Sequence, residues 1–136
     1  MFTGERFEVL RVIDYGCDAL DRALADELHV DTHIAHAYLL ANHDNVQQLE
    51  CCRRIYSAIA VDLLRAVNFY NFDNPDKDLS HIHCGGGGAH IPALLSALEE
   101  LLPVPLADVS ELLPSVPLRG SDDTLSALAA VGAAMQ

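Results

Sequence analysis

Residues 79–95, LSHIHCGGGGAHIPALL, set three histidines, a cysteine and four consecutive glycines ahead of an Ile91-Pro92 pair. Gly85, Gly86, Gly87 and Gly88 admit backbone angles closed to residues with a Cβ, so their amides can lie directly against a flat or anionic ligand. Pro92 suits a first helical turn, because its missing N–H has no helical partner there. The helix's free N–H groups and positive dipole end would then face the same crevice as the glycines. The spacing is neither the G-x-G-x-x-G of dinucleotide folds nor a P-loop closing on Lys-Ser/Thr. A tight strand-to-helix turn with no ligand accounts for the same residues.

Seven histidines and four cysteines invite a metal reading. His33 and His36 share a helical face, and His81, His83 and Cys84 fall at the end of an alternating segment. Zinc needs about four convergent ligands, whereas strand alternation sends His81 and His83 to one face and Cys84 to the other. No metal ligands are therefore assigned. Cys84, beside a helix start, has a nucleophile's position, but a strand-end cysteine packed as a small hydrophobe is the simpler expectation. Asp122-Asp123 stands where a helix cap is expected. Tyr56, Phe69, Tyr70 and Phe72 read as core and helix-end packing rather than a stacking platform. No catalytic residue is assigned.

The elements that must position these groups follow from the 136-residue chain itself. Half of it is apolar, enough for the core of a single domain over residues 1–136. Twenty acidic against eight basic side chains give a net charge of −12, which argues against nucleic acid and anionic membrane surfaces as partners. No apolar run approaches a membrane span, and the N-terminus has no signal-like core, so a cytoplasmic location without membrane insertion is expected. Cys17, Cys51, Cys52 and Cys84 form no CxxC pair and are expected as reduced thiols.

Residues 7–14 are rich in β-branched and aromatic side chains, and with the turn-like Thr3-Gly4-Glu5 before them they predict a strand, the second arm of a hairpin whose first arm is missing. Asp18 is placed to cap a helix carrying Leu20, Leu24 and Leu28. A shorter helix after Asp31-Thr32 would turn Ile34, Tyr38 and Ala41 to one side. The strongest periodicity, over residues 45–70, runs through Leu49, Cys52, Tyr56, Ile59, Leu63, Val67 and Tyr70, and Asn71 to Pro75 should end it. A strand over 79–84, a helix over 91–102, an extended edge segment over 103–107, a loop over 110–120 and an Ala/Gly-rich helix over 124–135 complete a β-α-α-α-β-α-β-α order. Alternation of this kind implies an α/β fold, a sheet with parallel members covered by helices and ligands beyond the carboxyl ends of its strands.

In that order, VIDYGCDALDRALADELHVDTHIAHAYL, a long helix, IHCGGGGAHIPALLSALEELLPVPL and a closing Ala/Gly-rich helix, the chain resembles the C-terminal lobe of the actin-like (ribonuclease H-like) ATPase fold. Within that fold it is most similar to the PilM family of type IV pilus assembly proteins, relatives of the FtsA cell-division family. The resemblance makes the glycine turn the family's adenosine motif, with Gly85, Gly86, Gly87, Gly88, Ile91 and Pro92 beside the base and α-phosphate. It also aligns Ala35-His36-Ala37-Tyr38-Leu39 with the Ala-Glu-x-x-Lys of ATP-binding relatives, so that His36 and Leu39 occupy the two polar anchor positions for ribose and base. The family's phosphate loops and Mg-organising acid would lie before residue 1. The resemblance thus implies a non-catalytic lobe of a larger cytoplasmic scaffold that works with other pilus assembly proteins. No cofactor is expected for this chain, and ATP or ADP with Mg belongs to the full-length parent. The alternatives from other classes are an ATP-binding half-domain of FtsA or Hsp70 type that needs the missing lobe, and a metal-binding module. A lobe with a bared face could also pair with a second copy of itself.

Overall fold

A computed structural model describes residues 1–3, 6–7, 9–77 and 79–112. Its framework is mostly helical: α1 (Cys17–Leu28), α2 (Thr32–Ala41), α3 (Glu50–Asp73) and α4 (Pro92–Leu101). Two short strand pairs accompany them. β1 (Phe2–Thr3) runs antiparallel to β2 (Arg6–Phe7), and β3 (Ile82–Cys84) runs parallel to β4 (Leu106–Asp108), with Ile82 opposite Leu106 and Cys84 opposite Asp108.

Helix α1 starts at Gly16, whose extended backbone serves as the N-cap without a side-chain hydrogen bond. The expected cap, Asp18, lies one position inside the first turn, where its charge suits the dipole and where it pairs with exposed Arg22 at 2.8 Å. Leu20 and Leu24 are fully buried. His29, in the left-handed region, ends the helix. Asp31 caps α2 by accepting the His33 N–H at 2.8 Å, as the Asp-Thr pair implies. The buried face of α2 is Ala35 and Leu39, not Ile34, Tyr38 and Ala41, and Ile34 is 46 % exposed. THIAHAYLLA is apolar on every side, so its periodicity cannot choose a face, and contact with α1 decides it.

The long helix begins later than residue 45. His43–Gln48 forms a 3-10 segment interrupted by left-handed residues at Asp44 and Asn45, with a third at Asn42. Asn and Asp tolerate that conformation better than other residues with a Cβ. Gln47, only 2 % exposed, fastens this corner: its side-chain amide donates to the Leu39 carbonyl at 2.8 Å, and its backbone N–H donates to Asn42 Oδ1 at 3.2 Å. From Glu50 onward the expected stripe holds, with Cys52, Tyr56, Val67 and Tyr70 buried, Ile59 and Leu63 half-buried, and Ala60 closing the same face. Asn74 ends the helix, its amide donating to the Tyr70 carbonyl at 3.0 Å.

β3 and β4 are shorter than the sequence suggests, three residues each in place of 79–84 and 103–107. The larger departure is at residues 7–14, where a strand was expected: the ladder covers Arg6–Phe7 alone, and residues 9–14 carry no strand. The helix expected over 124–135, with Asp122 and Asp123, lies outside the described residues. Leu20, Leu24, Leu39, Cys52, Tyr56, Ile91, Leu94 and Leu98 join α1–α4 in one core, against which Ile82 and Leu106 pack from the strand pair.

Candidate functional site

The chain leaves β3 at Cys84, crosses the four glycines and enters α4 through a 3-10 turn at Gly87–His90. Two backbone bonds tighten the crossing, Ala89 N–H to the Gly86 carbonyl at 3.0 Å and Ile91 N–H to the Gly88 carbonyl at 3.1 Å. Gly86 has φ +82° and ψ −173°, a combination essentially restricted to glycine. Gly87 and Gly88 serve close packing instead. A methyl group on Gly87 would stand 3.4 Å from Cys17 Sγ, and one on Gly88 3.3 Å from a Leu94 methyl. The turn is therefore seated on the start of α1 and the first turn of α4. Gly85 and Gly87 remain exposed. Pro92 opens α4 in its first turn, as expected, but Ile91, read as the helix's first residue, is its cap and is fully buried in the core.

His36 lies at the other end of a continuous strip. Its Nδ1 is 2.9 Å from Asp21 Oδ2 and 3.1 Å from Oδ1. Cys17 and Asp21 are one helical turn apart on α1, so glycine turn, Cys17, Asp21 and His36 follow one another along that helix. Asp21 is the less exposed partner, at 15 % against 46 % for His36. With Nδ1–H donated to this carboxylate, a neutral imidazole presents Nε2 as an acceptor, and only the protonated ring offers a donor there. Leu39 has no exposed surface and belongs to the core. The structure thus brings the glycine turn and His36 onto one side of α1 and leaves Ile91 and Leu39 behind that surface.

The carboxyl ends of the parallel strands add groups that the sequence did not single out. Asp108 ends β4 beside Cys84 and accepts the Ser110 N–H at 2.7 Å. Its carboxyl pKa is lowered by hydrogen bonds from the Ser110 side chain and backbone, with a smaller contribution from His90. The sequence signal was the D-x-S spacing at the end of an apolar run, an Asx-turn pattern. Cys84 is pushed the opposite way, upward, by burial first and then by the Asp108 and Glu99 charges. A protonated thiol at neutral pH suits packing, not nucleophilic attack. Cys17 is raised too, by burial and then Asp21.

The His81 and His83 rings lie 6.2 Å apart, and among the described residues no group of three His, Cys, Asp or Glu is arranged to hold a metal ion. The cavities found among the described residues lie away from the glycine turn. One of about 470 Å³ and one of about 200 Å³ open between residues 9–14 and α3, and one of about 230 Å³ lies behind β4 at Glu99 and Leu102. None of the described helices is long and apolar enough to cross a membrane. No protein-family model, curated protein or solved structure matches the chain.

Proposed function

We propose that this chain is a non-catalytic, actin-like lobe of a PilM-like type IV pilus assembly protein, a scaffold on the cytoplasmic side of the pilus machinery. The observation that carries the reading is the connection of parallel strands β3 and β4 through a glycine turn and a proline-started helix, with that turn seated on the N-terminus of α1. The resemblance of IHCGGGGAHIP and VIDYGCDAL to the actin-like lobe supports the same reading. The non-catalytic part rests on the anchor positions: Leu39 is sealed in the core, and His36 is engaged by Asp21. The acidic surface also disfavours an unassisted phosphate.

Two measurements test it. Calorimetry of ATP and ADP binding, with and without Mg, is expected to show no micromolar binding, and Mg-dependent binding at that level overturns the non-catalytic reading. Deleting the gene in its source organism is expected to abolish surface pili, and unchanged piliation overturns the scaffold role. A second reading, an ATP-binding half-domain completed by another lobe, is favoured by the exposed backbone of Gly85 and Gly87 beyond the carboxyl ends of parallel strands. In that case His36 Nε2 would accept from a ribose hydroxyl, and the same calorimetry decides between the two.

A further inference from the structure

Cys51 and Cys52 stand side by side in the first turn of α3, and both are buried, at 5 % and 0 % exposure. Tyr56, one helical turn on, is 2 % exposed and brings its hydroxyl to the same place. Cys52 faces both the Cys51 thiol and that hydroxyl. Packing alone does not account for the combination. Alanine or valine would fill the space of the thiols, and phenylalanine would fill that of Tyr56 without burying a hydroxyl that has no hydrogen-bond partner among the described residues. A thiol sulfur is a weak acceptor, whereas an ionised acceptor makes the stronger hydrogen bond. The Tyr56 hydroxyl is thus a donor aimed at two sulfurs that would accept from it well only as thiolates.

The surroundings narrow the ion that could hold them as thiolates. Soft thiolate ligands select Cu(I), zinc or iron–sulfur clusters, and the last two take about four ligands. Among the described residues no third His, Cys, Asp or Glu is grouped with the pair for that purpose. Cys17 also lies near Tyr56, but its sulfur is seated against the glycine turn, where a methyl group on Gly87 would stand 3.4 Å from it. Two sulfurs suit a monovalent two-coordinate ion. The first turn of α3 has no capping side chain, so its positive dipole end is directed at the pair, while Glu50 in the same turn is exposed.

From this arrangement we infer that Cys51 and Cys52 bind one Cu(I) ion between their sulfurs, with the Tyr56 hydroxyl donating a hydrogen bond to a coordinated sulfur. Each thiol gives one proton to solvent as its S–Cu bond forms. Copper stays Cu(I), and the complex carries a single negative charge, which the hydroxyl and the helix N-terminus offset. The inference is independent of the proposed function.

The test is an anaerobic titration of the reduced whole chain with Cu(I) against a chromophoric Cu(I) chelator, followed also by the ultraviolet thiolate-to-copper charge-transfer band. One copper per chain is expected. Cys51→Ala and Cys52→Ala, each checked for folding by helical circular dichroism, should abolish its binding, and Cys84→Ala should leave it unchanged. Tyr56→Phe keeps both sulfurs and the packing. It should therefore still take one copper per chain, at an affinity about ten-fold or more weaker, as loss of a hydrogen bond to a metal ligand brings. Should the cysteine variants fail to fold, the affinity of Tyr56→Phe decides. The inference is overturned by no copper uptake in competition with the chelator, by more than one copper per chain, by equal loss in Cys84→Ala, or by unchanged affinity in Tyr56→Phe.

Discussion

Gly86 and Gly16 separate two reasons for a glycine. At Gly86 the backbone angles themselves exclude a Cβ, so Gly86→Ala is expected to cost about 1–3 kcal/mol in denaturant unfolding. Gly16 has an ordinary extended backbone, open space around it and no capping side chain, so Gly16→Ser should gain a few tenths of a kcal/mol by supplying the missing cap. Tyr56 makes a different kind of test. Its hydroxyl is buried without a hydrogen-bond partner among the described residues, and its ionisable neighbours are the Cys52, Cys51 and Cys17 thiols. Tyr56→Phe removes an unsatisfied group at nearly constant shape and should be neutral or stabilising by up to about 2 kcal/mol. The same burial raises the Tyr56 pKa and pushes Cys52 from 9.0 up to about 12, with Cys51 adding to it. Above pH 9 the unfolded chain releases these protons before the folded one does. The stability that these two groups contribute is therefore expected to be constant below pH 9 and to fall between pH 9 and 12, as thermal melts across that range would record. The sequence located the glycine turn, but four identical letters could not say that only Gly86 requires its angles while Gly87 and Gly88 make room for Cys17 and Leu94.

Among the elements, α3 was the most legible, because a sustained apolar step of three and four residues has one helical solution. Its start was not, since the corner before it is fixed by Gln47 reaching back to the Leu39 carbonyl, a long-range bond that no local pattern announces. Gln47→Ala should cost about 1 kcal/mol, because it removes a buried hydrogen bond to the Leu39 carbonyl, which keeps only its bond from the Asn42 N–H at 3.2 Å, while Gln48, exposed next door, should tolerate alanine. The face of α2 was unreadable for the opposite reason, an excess of apolar residues. Residues 7–14 show the limit of strand propensity, which reports a surface fit to pair and not the presence of a partner. At the candidate site the glycines and His36 were legible by type. Asp21 and Asp108 were not, because their roles come from α2 and from the register of β3 with β4.

For the whole molecule, a net charge of −12 on 136 residues sets a repulsive background that the few ion pairs do not offset. Thermal stability should therefore rise with sodium chloride as screening weakens the self-repulsion, and a melting temperature that falls with salt would contradict this. The parallel pairing of β3 with β4 also has a consequence in time. Antiparallel neighbours can zip from a short turn, but these two strands cannot meet until the whole crossover, glycines, α4 and the Pro103 bend included, has closed. The contacts of α1 with α2 are more local and can form first, so the strand pair that carries the glycine turn is completed after them.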